Sequence, residues 1–196
     1  PHDEYLKQCE GFTASKYDPK AWVELIKESG AQYTVLTTKH HDGVALWDTK
    51  QNGISVVKNT PAKRDLVTPF VNEVRKAGLR LGLYYSLPDW SHPDYPNMTR
   101  TDVRYKDDPK RWDNFCKFNF GQLAELNNTY KPDLYWFDGD WEMSAETWRA
   151  KEIMELLRSN NKNVIVNSRI TGYGDYATPE QGVPVVRPED KYWELC

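Results

Sequence analysis

Residues 65–90 read DLVTPFVNEVRKAGLRLGLYYSLPDW, and this order of residue types predicts one complete helix–strand unit. Asp65 is a typical N-cap and Gly78 a typical helix stop, while apolar residues recur between them at helical spacing. This buried stripe consists of Leu66, Phe70, Val74 and Ala77. The apolar run Leu79–Tyr85 is then predicted as a strand, and polar and aromatic residues follow its carboxyl end.

The same unit recurs before and after this stretch. The other predicted helices begin after the N-cap Asp18, at Lys110 and at Ser144, and end near Gly30, Asn128 and Ser159. The strands predicted after them are Gln32–Thr38, Asp133–Phe137 and Asn163–Asn167. In the first helix, the face expected to be buried carries Trp22, Leu25 and Ile26. Helices that alternate with short strands, without hairpin signals, are typical of parallel βαβ units.

Two architectures fit this alternation, an open doubly wound sheet and a barrel. An open sheet that binds nucleotides normally has a glycine-rich phosphate loop directly after a strand, and no G-x-G-x-x-G motif or P-loop follows any of the four strands. The predicted fold is therefore α/β, a parallel (β/α) TIM-like barrel. Because 196 residues fall short of the roughly 250 of a complete barrel, about half to two-thirds of it is expected in this chain.

Composition narrows the classes of partner. A net charge of −3 without a basic stripe makes nucleic acid an unexpected partner, and a mean hydropathy of −0.80 predicts no membrane span. The three cysteines are too few and too far apart for a disulfide framework or a zinc site. An aromatic content of 13% suits either a packed barrel core or the stacking of sugar rings.

The predicted strands end in residues that can perform chemistry. The four ends are Lys39–Gly43 (KHHDG), Tyr84–Ser86 followed by Asp89 and Trp90, Trp136–Trp141 (WFDGDW), and Asn167–Arg169 (NSR). In a barrel the carboxyl ends of the strands meet at one mouth, where active sites lie. Aromatic, neutral polar and carboxylate groups together predict a sugar pocket with acid/base groups.

Asp138 is the first candidate acid, because it directly follows an apolar strand and precedes Gly139, which leaves room for a substrate. A carboxylate that only caps a turn is the alternative, and Asp140 and Glu142 are competitors. A retaining glycosidase needs two carboxyl groups about 5–5.5 Å apart. The second group would come from a later loop, from Glu180 or Glu194, and the residues alone do not choose between them.

His40 and His41 raise the question of a metal. Adjacent strand residues point to opposite faces and no third ligand has suitable spacing, so we expect no metal here. Hydrogen bonding to sugar hydroxyls fits the pair better, and a histidine that only packs remains the alternative.

Together these segments resemble the α-L-fucosidases, glycoside hydrolase family 29. The segments that carry the resemblance are Phe12–Trp22, Lys39–Gly43 with Leu46 and Trp47, Arg64–Val67, Gly82–Ser86 with Trp90, Trp136–Gly139, Thr178–Glu180 and Trp193–Glu194. The histidine box and the aspartate strand are the specific parts.

The resemblance implies hydrolysis of terminal α-L-fucosyl linkages by double displacement, without cofactor or metal. Asp138 matches the nucleophile, and Glu180 is preferred to Glu194 as acid/base. The implied sugar-binding residues are His40, His41, Tyr85, Trp136 and Arg169, with Tyr84 as the alternative to Tyr85. The implied partner is a fucosylated oligosaccharide or glycoconjugate. An α-L-galactosidase, an inactive carbohydrate-binding homologue and, from a different class, a nucleotide-dependent enzyme remain alternatives.

The resemblance also implies that residues 1–196 are an internal part of a (β/α)8-like glycosidase catalytic domain. The first strand or strands, the last strands and any C-terminal β-sandwich would then lie outside this chain. We expect the segment alone to be inactive. A periplasmic, secreted or lysosomal location is what the family would suggest.

Overall fold

The computed structural model describes residues 2–182, 186, 189 and 191–196. Four parallel strands form one sheet in the order β1-β2-β3-β4. Their bounds are Tyr33–Lys39 (β1), Arg80–Ser86 (β2), Leu134–Asp138 (β3) and Ile165–Val166 (β4). Parallel strands that neighbour one another in chain order are the arrangement of a (β/α) barrel, whereas a doubly wound sheet changes direction at a switch point. The predicted fold class is therefore confirmed.

The helices lie between the strands as expected. They are α1 (His2–Leu6), α2 (Pro19–Glu28), α3 (Val56–Asn59), α4 (Val67–Lys76), α5 (Pro109–Tyr130), α6 (Ala145–Trp148) and α7 (Ala150–Asn160), with short 3-10 turns at Lys7–Gly11 and Asp140–Glu142. Strands β1, β2 and β3 each begin and end one residue later than predicted. Among the described residues, no helix is both long and apolar enough to cross a bilayer.

The predicted helix caps form. Oδ1 of Asp18 accepts a hydrogen bond from the backbone N–H of Ala21 at 3.0 Å, and Oδ1 of Asp65 accepts one from that of Val67 at 2.7 Å. These bonds satisfy N–H groups that have no partner within the first helical turn. Gly78 has φ +74°, a left-handed conformation that ends the helix at little cost for glycine.

Two predictions about the helices are wrong. The helix expected over Ser144–Ser159 is divided into α6 and α7 at Arg149, which has φ 55° and whose guanidinium binds Asp113 at 2.8 Å. Of the face of α2 expected to be buried, Ile26 packs against the core, whereas Trp22 and Leu25 have relative exposures of 46% and 68%. Helix α2 instead buries Val23, the neighbouring position on the helix surface.

The two faces of the sheet have different environments. One face packs under the helices, and its side chains include Leu81, Leu83, Tyr85, Tyr135 and Phe137, all fully buried. The opposite, inner face carries a smaller apolar cluster formed by Val35, Tyr84, Leu134, Trp136 and Tyr176. Because successive strand residues alternate between faces, the residue that ends each strand either enters the mouth or packs under a helix.

Candidate active site

Asp138 ends β3 and lies at the mouth with a relative exposure of 8%. Its Oδ1 accepts a hydrogen bond from Nη1 of Arg169 at 2.8 Å, and its Oδ2 accepts one from the hydroxyl of Tyr84 at 2.7 Å. Burial and this bond to the carboxylate raise the pKa of Tyr84 well above its usual range, so the phenol keeps its proton. The candidate nucleophile is therefore held by a donor on each oxygen.

Arg169 connects Asp138 to a second acid. Its Nη1 binds Asp138, its Nη2 binds Glu180, and its guanidinium lies 4.6 Å from the ring centre of Trp136. Burial lowers the pKa of Arg169, but the hydrogen bonds that it donates to Glu180 and Asp138 outweigh burial and raise this pKa. A single guanidinium bridges two carboxylates only over a gap of a few ångströms. The spacing of a retaining pair, about 5–5.5 Å, belongs to that range.

Glu194, the rival acid, lies deeper in the inner face. Its Oε1 accepts a hydrogen bond from the indole N–H of Trp136 at 3.1 Å, and its Oε2 accepts one from the hydroxyl of Tyr33 at 2.5 Å. Tyr33 begins β1 and therefore lies towards the amino end of the sheet, opposite to the mouth. Both oxygens of Glu194 have partners there, and neither partner is Asp138.

Asp140 and Glu142 connect loops to one another. Oε2 of Glu142 accepts hydrogen bonds from the hydroxyl of Tyr95 at 2.5 Å and from the amide of Asn97 at 2.8 Å. Oδ2 of Asp140 accepts one from the backbone N–H of Thr171 at 2.8 Å, and burial raises the pKa of this carboxyl. These contacts give both residues structural partners and leave Asp138 as the acid that faces Glu180.

His40 and His41 lie side by side at the mouth, with ring centres 4.3 Å apart. The ring of His40 stacks on Tyr84 at 5.5 Å, and Nε2 of His41 lies 3.7 Å from Oδ2 of Asp138. Burial, and secondly the neighbouring His40, lower the pKa of His41, which keeps this imidazole neutral near neutral pH. Both histidines are therefore placed to contact the same bound molecule.

The reason given for expecting no metal, that the two histidines face opposite sides and lack a third ligand, is wrong. His40 and His41 follow the end of β1, so strand alternation does not apply to them, and each offers a ligand atom within 4.8 Å of the others and of Asp138. A cation there would have to share Asp138 with Tyr84 and Arg169, which already bind its two oxygens.

Tyr85 does not lie in the pocket, which corrects one predicted site residue. It is fully buried on the helix side of the sheet, where its hydroxyl lies 2.6 Å from Oδ1 of Asn119 and accepts a hydrogen bond from Nζ of Lys39 at 3.1 Å. Tyr84 points to the mouth instead, because neighbouring strand residues face opposite sides.

Two structural contacts near the mouth, Lys39 with Asp89 and Gly139 with Pro88, were not predicted. Lys39 and Asp89, with relative exposures of 0% and 1%, form an ion pair at 3.2 Å that joins the end of β1 to the loop after β2. A Cβ on Gly139, which has φ +80°, would lie 2.4 Å from the ring of Pro88. Gly139 thus allows close packing of protein against protein, where the sequence had indicated room for a substrate. A lysine directly after a buried strand, with an aspartate after the next strand, is the signal by which the ion pair could have been found.

Comparisons with known proteins identify the family of this chain. The family model described as Alpha-L-fucosidase matches residues 1–196. The tissue alpha-L-fucosidase of Bos taurus is 34% identical over 195 residues, which cover 94% of this chain and 40% of the bovine protein. Alpha-L-fucosidase isoenzyme 1 from Paenibacillus thiaminolyticus superimposes with a TM-score of 0.88 at 35% identity, over 97% of this chain and 49% of that one.

A second solved structure is an alpha-L-fucosidase from Bacteroides thetaiotaomicron, a trapped covalent intermediate in complex with 2-fluoro-fucosyl fluoride. It has a TM-score of 0.82 and 33% identity, and the match covers 94% of this chain and 45% of that one. The chain thus spans less than half the length of these relatives. Because the family model matches every residue from 1 to 196, the chain belongs to the alpha-L-fucosidase family.

Proposed function

We propose that the protein containing this chain is a retaining α-L-fucosidase that hydrolyses terminal α-L-fucosyl linkages of oligosaccharides or glycoconjugates. Asp138 is the nucleophile and Glu180 the acid/base. The observation that carries the proposal is the guanidinium of Arg169, which binds both carboxylates at the mouth. The covalent intermediate of the Bacteroides relative supports the same type of mechanism.

In the first step an oxygen of Asp138 attacks the anomeric carbon, and the bond from that carbon to the leaving oxygen breaks. Glu180 gives its proton to the leaving oxygen, so that the aglycone departs as an alcohol. In the second step Glu180 takes a proton from water, and the resulting hydroxide displaces Asp138. Two inversions at the same carbon give net retention.

Glu180 binds Arg169 in this structure and has to leave it in order to reach the leaving oxygen of a substrate. Glu180 is exposed, whereas Asp138 is buried, so the outer of the two carboxylates is the one free to move. A sugar seated at the mouth, with its leaving oxygen towards Glu180, can take the place of this contact.

The sugar ring would be held by groups that surround Asp138. The two histidines, Tyr84 and Arg169 supply hydrogen-bonding atoms. The indole of Trp141 supplies an exposed flat face, whereas that of Trp136 stacks on Tyr84 and lies 4.6 Å from the guanidinium of Arg169 and so positions these two groups. Tyr84 replaces Tyr85 among the proposed sugar-binding residues. L-galactose differs from L-fucose by one hydroxyl, and an apolar pocket rejects an added hydroxyl only weakly. The ratio of kcat/KM values for the two aryl α-L-glycosides therefore measures the preference directly.

Trapping tests the nucleophile. The intact protein that carries this chain is incubated with 2-fluoro-fucosyl fluoride, digested and mapped by mass spectrometry. We expect one fucosyl label, on the peptide that contains Asp138, and its loss in Asp138→Asn. Asp140→Asn is the matched control, two residues away, and should retain the label. A label on another residue would refute the assignment.

Azide rescue tests the acid/base, because azide attacks the fucosyl-enzyme without needing a base. On an activated aryl fucoside, Glu180→Ala should turn over slowly and regain speed with azide, releasing an α-L-fucosyl azide with retained configuration. Glu194→Ala serves as the control and should show no rescue. Rescue of the Glu194 variant alone would move the acid/base to that residue.

A further inference from the structure

Ser86 links the pocket histidine to the backbone behind it. Its Oγ lies 2.6 Å from Nδ1 of His41 and 2.7 Å from the carbonyl oxygen of Pro88. All three residues are buried, so water does not supply an alternative partner at low cost. Nothing in the resemblance or the comparisons assigns a role to Ser86.

The protons available to these groups determine which group donates in each of the two hydrogen bonds of Ser86. A carbonyl oxygen can only accept, and a serine hydroxyl has one proton to donate. If Ser86 donates to Pro88, its oxygen accepts the proton of Nδ1 of His41, and both contacts are hydrogen bonds. If Ser86 donated to His41, the carbonyl of Pro88 would lose this donor, and an unpaired buried acceptor costs about 1–3 kcal/mol.

The other nitrogen of His41 gives no reason to reverse this direction. Nε2 is 3.7 Å from Oδ2 of Asp138, which is too long for a direct hydrogen bond. A proton on Nε2 would therefore gain only a weak contact while breaking the bond of Nδ1 to Ser86. In the neutral imidazole the proton lies on Nδ1, and Nε2 presents a lone pair to the pocket.

We propose that Ser86 is a positioning residue that holds His41 in its Nδ1–H tautomer, so that Nε2 accepts a hydrogen bond from the sugar hydroxyl next to the anomeric carbon. Nε2 of His41 and Oδ2 of Asp138 are two acceptors 3.7 Å apart at the mouth, and a sugar hydroxyl beside them can donate a hydrogen bond. This inference rests on the proposed function, because it requires that a carboxylate oxygen of Asp138 attacks carbon 1.

The position of the gap selects the hydroxyl. When Asp138 bonds to the anomeric carbon, the groups nearest to it are those on the adjacent ring positions. One neighbour is the ring oxygen, which has no proton to donate, and the other is carbon 2, which carries a hydroxyl. Contacts to the 2-hydroxyl strengthen as the oxocarbenium-like transition state forms, so this acceptor contributes to kcat as well as to binding.

Nuclear magnetic resonance of the resting protein tests the tautomer without any turnover. The intact protein is labelled with 15N-histidine and examined at a pH of about 8, above the ordinary histidine pKa of about 6.5. The His41 signal is assigned from its loss in His41→Asn. We expect a protonated Nδ1 and an unprotonated Nε2, and in Ser86→Ala a shift of the proton towards Nε2. Thr101→Ala, a hydroxyl deletion at an exposed position of the same loop, is the matched control and should leave His41 unchanged.

Kinetics test the consequence for the substrate. Ser86→Ala should lower kcat/KM for an aryl α-L-fucoside by about tenfold, as expected for the loss of one hydrogen bond. With the 2-deoxy analogue, which lacks the hydroxyl, wild type and variant should differ much less. A general effect of the substitution on folding lowers kcat/KM equally for both substrates, so it cancels in the ratio of the loss on the fucoside to the loss on the 2-deoxy analogue. Ser86→Thr, which keeps a hydroxyl, should restore the tautomer and part of the rate.

The outcomes separate this inference from the proposed function. Absence of fucosidase activity in the wild type would refute the proposed function, whatever the tautomer. An active wild type with its proton on Nε2 would overturn the role of Ser86. Equal losses on the fucoside and the 2-deoxy analogue would overturn the assignment of the hydroxyl.

Discussion

Removing the charge of Lys39 should destabilise this protein more than any surface substitution. Nζ of Lys39 lies 3.2 Å from Oδ2 of Asp89 and 3.1 Å from the hydroxyl of Tyr85, and no part of its side chain reaches solvent. Lys39→Met keeps the length of the side chain and removes the ammonium group. The carboxylate of Asp89 is then buried without its counter-charge.

The cost follows from what Asp89 retains. Removing one partner of a buried ion pair typically costs about 3–5 kcal/mol. Oδ1 of Asp89 keeps the backbone N–H groups of Ser91 and His92, at 3.1 and 3.0 Å, and the hydroxyl of Ser91 at 2.7 Å. These donors continue to stabilise the negative charge, so we expect the lower end, about 3 kcal/mol. For a domain of this size that is a fall in Tm of roughly 6–12 °C.

The converse substitution, at Asp89, is distinguished by how its free energy of unfolding depends on pH. Asp89→Asn keeps the shape and an acceptor oxygen but leaves the buried ammonium of Lys39 unpaired. Burial lowers the pKa of Lys39 already in the ion pair, and the loss of Asp89 lowers it further. The unfolded state then binds more protons, so the free energy of unfolding of this variant should rise as pH increases towards about 10.4.

Urea unfolding, followed by tryptophan fluorescence, measures these free energies in the intact protein. Lys20→Met is the matched control, because Lys20 pairs with Glu24 at 3.8 Å with both side chains mostly exposed, and it should change stability by less than about 0.5 kcal/mol. In Lys39→Met combined with Asp89→Asn, the loss should be smaller than the sum of the single losses. A Lys39→Met protein within about 1 kcal/mol of the wild type would refute the reasoning.

Three further substitutions or conditions have defined outcomes. Tyr84→Phe removes the donor to Oδ2 of Asp138, so kcat/KM for an aryl α-L-fucoside should fall by about tenfold or more while urea unfolding changes little. Gly139→Ala forces a Cβ to within 2.4 Å of a proline ring at φ +80° and should cost at least about 2 kcal/mol in urea unfolding; an unchanged midpoint would contradict the packing. Burial lowers the pKa of His41 and His92, so the unfolded state binds more protons and stability should fall as pH decreases below about 6.5; His92→Gln should flatten that slope in pH-dependent unfolding.

Local signals in the sequence were sufficient for the fold and for placing Asp138 at the end of a buried strand. Asp18 and Asp65 are caps, Gly78 ends a helix, and strands β1, β2 and β3 lie within one residue of their predicted places, because each depends mainly on neighbouring residues. The aspartate after an apolar strand was identified by the same local logic. Its hydrogen bonds to Tyr84 and Arg169 were not, since they join segments far apart in the chain.

Two of the errors have one physical origin, the register of side chains. A shift of one residue in a strand transfers a side chain to the other face, and this is why Tyr85 was placed in the pocket where Tyr84 lies. The exposed Trp22 and Leu25 reflect the same problem on a helix, where hydrophobicity marks an apolar face but does not say which part of it is covered. A left-handed residue such as Arg149 within a helical pattern depends on a tertiary contact, here with Asp113, and leaves no local signal.

The register of β1 against β2 also links the stability of this fold to its proposed chemistry. An irregularity in the pairing of β1 with β2, between Thr37 and Lys39, lets Lys39 face the helix side beside Tyr85 while the next residues emerge at the mouth. The loop held by Asp89 returns to that point, where the N–H of Trp90 donates to the carbonyl of His41 at 2.8 Å. Lys39 thus supports the position of His41 from the helix side of the sheet, where it is fully buried and does not contact a substrate. At a temperature where Lys39→Met remains folded by circular dichroism, its kcat/KM should still be reduced severalfold, and the loss should be greater on the fucoside than on the 2-deoxy analogue. Equal losses on both would mean that the ion pair supports only the fold.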